Sequence, residues 1–142
     1  MAAPDDPFDL QRFMAAQAPV FEAVLRELRD GRKTSHWMWF VFPQIAGLGF
    51  SAMALRYALV SPDEARAYLD HPVLGPRLRQ CVATLLDVPG RSAHEIFGSP
   101  DDMKLRSSLT LFAAAAPDEP LFAQALERFF DGVPDPATLG RL

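Results

Sequence analysis

Apolar residues recur at helical spacing along most of this chain. One face of an α-helix carries apolar side chains at i, i+3, i+4 and i+7, whereas a half-buried strand alternates apolar and polar positions. The helical pattern recurs in residues 10–14, 21–28, 51–59, 74–85, 105–112 and 122–130, and no segment alternates convincingly. The pattern therefore predicts an all-α fold, a single compact domain over residues 1–142 with about seven or eight helices, several of them short.

Proline and serine positions predict where several helices begin. An N-cap residue followed by proline at the first helical position is a strong start signal, because that position needs no N–H and proline already has a helical φ. Four such pairs occur, and two serines are followed three residues later by glutamate, the spacing of a capping box. The pairs are Asp6-Pro7, Ser61-Pro62, Ser99-Pro100 and Asp135-Pro136, and the two serines are Ser61 and Ser92.

Residues 32–44 hold both tryptophans and the densest aromatic surface of the chain. A buried aromatic side chain removes about 150–250 Å² from water, so we expect the core to form around this segment. Its near-continuous apolar run fits either a buried strand or a short helix. We favour a helix capped by Thr34 or Ser35 and ended by Pro43, because no partner strand is evident elsewhere.

Composition narrows the class of protein. Of the 142 residues, 49% are hydrophobic and the formal net charge is −4, which favours a folded core and gives no general attraction to nucleic acid. A single cysteine excludes an internal disulfide and indicates a reducing compartment. The first residues do not resemble a signal peptide, and no apolar run approaches the ~20 residues of a membrane span. We expect a cytoplasmic protein without nucleic-acid or membrane partners, and the oligomeric state stays open.

The common catalytic signatures are absent from the sequence. There is no phosphate-binding glycine-rich loop followed by lysine, no His-Glu-x-x-His zinc helix and no nucleophile elbow. The three histidines are isolated, so no metal site is predicted. Any site must therefore be sought among less specific polar clusters.

The first candidate cluster surrounds the two tryptophans. Two indoles offer a stacking wall for a planar heterocycle, an amide reads donor and acceptor edges, and an imidazole suits proton transfer near neutral pH. The alternative interpretation places both indoles in the core, uses the serine as a helix cap and lets the imidazole donate to a backbone carbonyl. The cluster consists of Lys33, Ser35, His36, Trp37, Trp39 and Gln44.

The second candidate cluster lies near the start of the helix predicted after Pro100. Lys104, Ser107 and Ser108 stand at i, i+3 and i+4, so an ammonium and two hydroxyls share one helix face and suit a phosphate group. Asp102 and Arg106 have the i, i+4 spacing of an ion pair. The alternative is a solvated first turn, in which acidic residues complement the helix dipole.

Several blocks of sequence resemble one bacterial family. They are residues 6–13 (DPFDLQRF), 35–44 (SHWMWFVFPQ), 71–78 (HPVLGPRL), 96–98 (IFG) and 102–112 (DMKLRSSLTLF). Together they resemble the family called domain of unknown function 1810, which implies a small, mainly α-helical protein without a settled activity. A more distant likeness is to NADAR domains, helical proteins associated with NAD and ADP-ribose metabolism that act on N-glycosidic bonds. The serine block followed by Glu-Gln of those domains has no clear counterpart here, so no catalytic residue is carried over from them.

The resulting hypothesis is a site for a nucleotide or ADP-ribose-like small molecule, with N-glycosidase-like hydrolysis as its reaction. Both tryptophans stack the base, and Lys104 with Ser107 and Ser108 holds phosphate. His36 or Asp102 carries protons as the catalytic residue. No cofactor is predicted. The alternative is a non-catalytic protein-interaction or regulatory binding module, in which the two clusters lie far apart or are fully engaged in internal hydrogen bonds.

Overall fold

Ten helices form the regular structure of residues 5–142, the part of the chain that the computed structural model describes. They are α1 (Gln11–Gln17), α2 (Phe21–Arg29), α3 (Met38–Val41), α4 (Ala52–Tyr57), α5 (Pro62–Asp70), α6 (Leu74–Leu86), α7 (Ala93–Phe97), α8 (Asp101–Ala115), α9 (Pro120–Phe130) and α10 (Pro136–Leu139). The predicted all-α class is confirmed. The number exceeds seven or eight because single-turn segments such as α3 and α10 also close as helices. Residues 1–4, where the sequence predicts no signal peptide, lie outside the described residues.

Three of the predicted helix starts are made by the expected side chains. Ser61, Ser92 and Asp135 each accept a hydrogen bond from the backbone N–H three residues later, at 3.2, 3.1 and 3.2 Å. The Glu95 carboxylate in turn accepts from the backbone N–H of Ser92, which completes the capping box. The capping box predicted at Ser61 is incomplete. The Glu64 carboxylate accepts from the backbone N–H of Val60 at 2.8 Å and not from that of Ser61.

Two predicted starts are wrong, the first by four residues and the second by one. α1 begins at Gln11 rather than after Asp6, whose carboxylate instead accepts from the backbone N–H groups of Leu10 and Gln11 at 2.8 and 3.0 Å. α8 begins at Asp101, and its N-cap is Pro100, without a side-chain cap. In both places a tight turn lies between the expected cap and the first helical residue.

The aromatic segment forms a shorter helix than its apolar run suggests. α3 spans four residues, its N-cap is Trp37, and neither Thr34 nor Ser35 caps it. The backbone N–H groups of these two residues donate instead to the carboxylate of Glu27 on α2, at 2.7 and 3.0 Å. The predicted cap is therefore wrong, because a side chain from another helix orders residues 34–37.

The core forms around aromatic rings and α8. Trp37 is 1% exposed, and its ring centroid lies 6.1 Å from that of Phe42 and 6.3 Å from that of Phe97. On α8, which packs against α5, α7, α9 and α10, Phe112 lies between Tyr68 and Phe122 with centroid distances of 5.5 and 5.7 Å. One side of the first two turns of α8 remains at the surface, next to the loop that follows α3.

That loop is held by two strand-like hydrogen bonds. Ile45 and Leu59 form an isolated parallel bridge, in which the N–H of Leu59 donates to Gln44 O at 2.9 Å and the N–H of Ala46 donates to Leu59 O at 2.8 Å. The bridge fixes residues 44–46 beside the chain that leaves α4. Gln44 is thereby held at the edge of the aromatic core.

Candidate functional site

A row of alternating charges joins the two clusters that the sequence singles out. The Lys33 ammonium lies 2.8 Å from one carboxylate oxygen of Asp101, and the Lys104 ammonium lies 3.6 Å from the other. The same ammonium groups lie over indole rings, with Lys33 Nζ 5.1 Å from the Trp37 centroid and Lys104 Nζ 5.4 Å from the Trp39 centroid. The aromatic segment and the first turn of α8 therefore form one continuous polar region.

Only one of these two cations is open to a ligand. The Lys33 side chain is 7% exposed, and its ammonium already has a close carboxylate and an indole face. Lys104 is 27% exposed and meets Asp101 at a longer distance. Two ammonium groups share one carboxylate here, so a positive charge remains uncompensated within this group of three. The available ammonium is that of Lys104.

An open cleft of about 420 Å³ lies between the loop after α3, the first turns of α8 and the start of α10. Its lining combines an amide, an ammonium, a hydroxyl and a carboxylate with exposed apolar side chains. Gln44, Lys104 and Ser107, three residues of the predicted clusters, line this cleft. The other residues that matter for its chemistry are Phe50, Met103 and Asp135.

Asp135 is a cleft residue that the sequence indicates only as a helix start. Its Oδ2 accepts from Ser107 Oγ at 2.9 Å and from the N–H and hydroxyl of Thr138 at 3.2 and 2.6 Å. Burial raises the pKa of Asp135, but the hydrogen bonds from Thr138 and Ser107 outweigh burial and hold the pKa below its ordinary value. The cleft lining therefore contains both an ionised carboxylate and the Lys104 ammonium.

The two tryptophans have different environments. Trp37 is 1% exposed and donates its indole N–H to Glu27 at 3.0 Å, so no face of its ring is open to a ligand in this structure. Trp39 is half-buried, lies under the Lys104 ammonium and lines a small hollow with Gln44. Of the two indoles, only Trp39 borders the polar region that a ligand can reach.

Glu27 organises the aromatic segment from beneath. Its carboxylate accepts four hydrogen bonds, from the N–H groups of Thr34 and Ser35, from the Ser35 hydroxyl and from the Trp37 indole. Burial alone raises its pKa, but these bonds, led by the one from Ser35, lower the pKa from 4.5 to about 2. So acidic a group is a poor base near neutral pH, so Glu27 positions the Ser35 hydroxyl and does not activate it.

The role of Glu27 has a signal in the sequence. Glu27 follows Val24 by three positions on α2, so it lies on the same apolar face as Val24 and Leu28. An acid on the buried face of a helix needs hydrogen-bond partners, because an unpaired buried charge is costly. Its position therefore indicates a structural carboxylate, although the identity of its donors depends on tertiary packing.

The remaining predicted residues lie outside the cleft lining. His36 is exposed on the loop before α3. Ser108 is 1% exposed on the core side of α8, and its hydroxyl has no hydrogen-bond partner among the described residues. Asp102 meets the Nδ1 of His94 at 3.3 Å. The structure thus brings together three of the ten predicted residues as cleft lining, and places Lys33 and Trp39 next to Asp101 and Lys104 at its edge.

The predicted Asp102–Arg106 ion pair is wrong. The Arg106 guanidinium donates instead to the backbone carbonyls of Val133 and Pro134, at 2.9 and 2.8 Å. These carbonyls precede α10 and lack donors within their own segment. The competition is decided by tertiary structure, since bonds from a guanidinium to partly buried carbonyls outweigh an exposed helical ion pair.

Two kinds of feature, a metal-binding cluster and a membrane-spanning helix, are absent from the described residues. Within residues 5–142, no group of three or more His, Cys, Asp or Glu side chains is arranged to hold a metal ion. In the same part of the chain, no helix combines the length and hydropathy that crossing a bilayer requires.

Fold and site together define a small all-α protein with an open polar cleft at the edge of an aromatic core. The chain belongs to the family described as "Protein of unknown function (DUF1810)", whose model matches residues 7–142. The resemblance to domain of unknown function 1810 is thereby confirmed. The chain is also similar to a crystal structure, that of the conserved hypothetical protein Rv1873 from Mycobacterium tuberculosis. The two share 54% identity and superpose with a TM-score of 0.95, over 96% of this chain and 98% of that one. No curated protein matches the chain.

Proposed function

We propose that this protein binds a nucleotide-like small molecule in the cleft between α8, α10 and the loop after α3. One observation carries the proposal. Gln44 of the loop after α3 and Lys104 and Ser107 of α8, which the sequence assigns to two separate polar clusters, line the same cleft. Such a convergence of a few polar groups in an otherwise apolar concavity is typical of small-molecule sites.

Lys104 supplies the anion-binding end of the proposed site. Its ammonium has three N–H donors, and only one long contact, to Asp101, competes with a ligand for them. Trp39 lies beneath the ammonium and keeps it on the cleft side. A phosphate group at this end replaces a contact of 3.6 Å with charge-assisted hydrogen bonds of normal length.

Apolar side chains supply another part of the proposed site. Phe50 is 81% exposed and Met103 is 47% exposed, and both border the cleft. Large apolar side chains with this much exposure mark surfaces that bind partners or ligands. A planar base stacks on the phenyl ring and the thioether, while the Gln44 amide provides both a donor and an acceptor for its edge.

Binding is the part of the function that the geometry supports best. N-glycosidase-like hydrolysis requires a proton carrier, and neither His36 nor Asp102 lines the cleft. Asp135 does line it and is ionised, so this carboxylate is the better placed group to stabilise positive charge on a ribosyl carbon. The alternative function, a non-catalytic protein-interaction or regulatory binding module, is favoured by the exposure of Phe50 and predicts that the protein turns over no nucleotide.

The proposal is tested by comparing Lys104→Gln with wild type in isothermal titration calorimetry against AMP, ADP-ribose and NAD. Loss of one charge-assisted contact raises Kd by about tenfold or more. Arg26→Gln is the matched control, because it removes one positive charge from an exposed position outside the cleft lining and should leave Kd unchanged. Absence of heat and of thermal stabilisation in wild type at millimolar ligand overturns the proposal.

A further inference from the structure

We infer that the cleft selects a ribose with free 2′- and 3′-hydroxyl groups, and that Asp135 is the residue that determines this specificity. The inference rests on the proposed nucleotide site and narrows its ligand to a ribonucleotide. It starts from the carboxylate of Asp135, a residue that lines the cleft.

The two oxygens of the Asp135 carboxylate are used unequally. Every hydrogen bond that this side chain accepts from the described residues ends on Oδ2, from Ser107 and from the N–H and hydroxyl of Thr138. No hydrogen-bond donor among the described residues is paired with Oδ1, so this oxygen has acceptor capacity left over. Because Asp135 lines the cleft, this capacity is available to a ligand that carries donors.

The carboxylate is also held in a fixed position. The backbone N–H of Asp135 donates to the Thr110 hydroxyl on α8 at 2.9 Å, and the three bonds to Oδ2 restrain the side chain. An acceptor that is already oriented costs a ligand little ordering free energy. Asp135 is thus preorganised to recognise hydroxyl groups.

The ligand must satisfy a cation and an anion at a short separation. Lys104 and Ser107 are one helical turn apart, about 5–6 Å between Cβ atoms, and the Ser107 hydroxyl lies 2.9 Å from Asp135. A phosphate group belongs at Lys104 and is repelled by Asp135. The group next to it must bring hydrogen-bond donors, and a ribose diol does so, as in dinucleotide-binding folds where an acidic residue accepts from ribose hydroxyls.

The probes are AMP and 2′,3′-dideoxy-AMP, measured by calorimetry on wild type and on Asp135→Asn. Wild type should bind AMP about tenfold or more tightly than the dideoxy compound, because two hydroxyl donors meet a charged acceptor. In Asp135→Asn the amide oxygen can keep the bonds to Ser107 and Thr138, while an NH₂ group takes the place of Oδ1. We expect the ratio of the two affinities to fall to about one, because neither nucleotide then gains from a charged acceptor for its hydroxyl groups.

A second variant separates recognition from the helix-capping role of Asp135. Thr138→Val removes one bond to Oδ2 and weakens the start of α10, but leaves Oδ1 as it is. It should retain the preference for AMP. If Thr138→Val loses the preference as fully as Asp135→Asn does, or if wild type binds both nucleotides equally, the diol inference is overturned and the nucleotide site stands. If wild type binds neither nucleotide, the proposed function itself is overturned.

Discussion

Glu27→Gln is expected to lower the free energy of unfolding by about 2–3 kcal/mol, because a charged acceptor of four buried or partly buried hydrogen bonds becomes neutral and one of its oxygens becomes a donor. The amide NH₂ then faces N–H or O–H donors of Thr34, Ser35 or Trp37. Urea denaturation of both proteins measures the difference. Ser35→Ala, which removes one donor and keeps the carboxylate, should cost only about 1 kcal/mol.

The same substitution should change the pH dependence of stability. The pKa of Glu27 is lowered by folding from 4.5 to about 2. Its contribution is therefore fully present above the unfolded pKa and is lost as the pH falls through the folded pKa. The difference in unfolding free energy between wild type and Glu27→Gln should be constant above about pH 6 and shrink towards about pH 2. A difference that stays constant down to that pH contradicts the assignment.

Gly75→Ala is expected to destabilise the protein by about 3 kcal/mol, because a methyl group there overpacks the contact between α5 and α6. A Cβ at this position lies 2.0 Å from the backbone oxygen of Leu69 and 2.8 Å from the Arg79 guanidinium. The arginine side chain can move, but the backbone of α5 cannot without shifting the helix. Thermal or urea unfolding measures the loss.

Gly140→Ala provides the control for this prediction. Gly140 has a helical φ of −67°, and a Cβ there meets neighbouring backbone oxygens at 3.5 and 3.7 Å, which is ordinary contact. Alanine reduces the conformational freedom of the unfolded chain at no steric cost, so stability should stay the same or rise by a few tenths of a kcal/mol. Equal effects at Gly75 and Gly140 are incompatible with a specific close approach of α5 and α6.

The helix starts show how much of the fold can be predicted from local sequence. The helix starts predicted at Ser61 and Ser92 are confirmed. Each serine hydroxyl accepts from a backbone N–H only three residues later, so the bond depends on local sequence alone. Asp6 and Ser99 have the same local chemistry, but the chain turns before the helix begins, at Gln11 and Asp101. Boundaries of this kind depend on how neighbouring elements pack.

The candidate site can be predicted only in part, because it too depends on how neighbouring elements pack. Gln44, Lys104 and Ser107 carry polar groups in positions that stand out from an apolar pattern, and they do line the cleft. Asp135 reads as an ordinary helix cap, and its second role depends on α8 bringing Ser107 to 2.9 Å. The sequence leaves open whether Trp37 belongs to the core or to a ligand wall, and packing places it in the core with 1% exposure.

What the sequence alone determined is the all-α class, the aromatic segment as the centre of the core, the family, and those helix starts whose hydrogen bonds close within one turn. Only the tertiary structure decided which polar groups meet. Glu27 reaches Ser35 and Trp37 from another helix, and Lys33 pairs with Asp101 across the fold. The physical reason is range: a cap or an apolar stripe is set by residues three or four positions apart, whereas a cleft is set by the packing of helices that are distant in the chain.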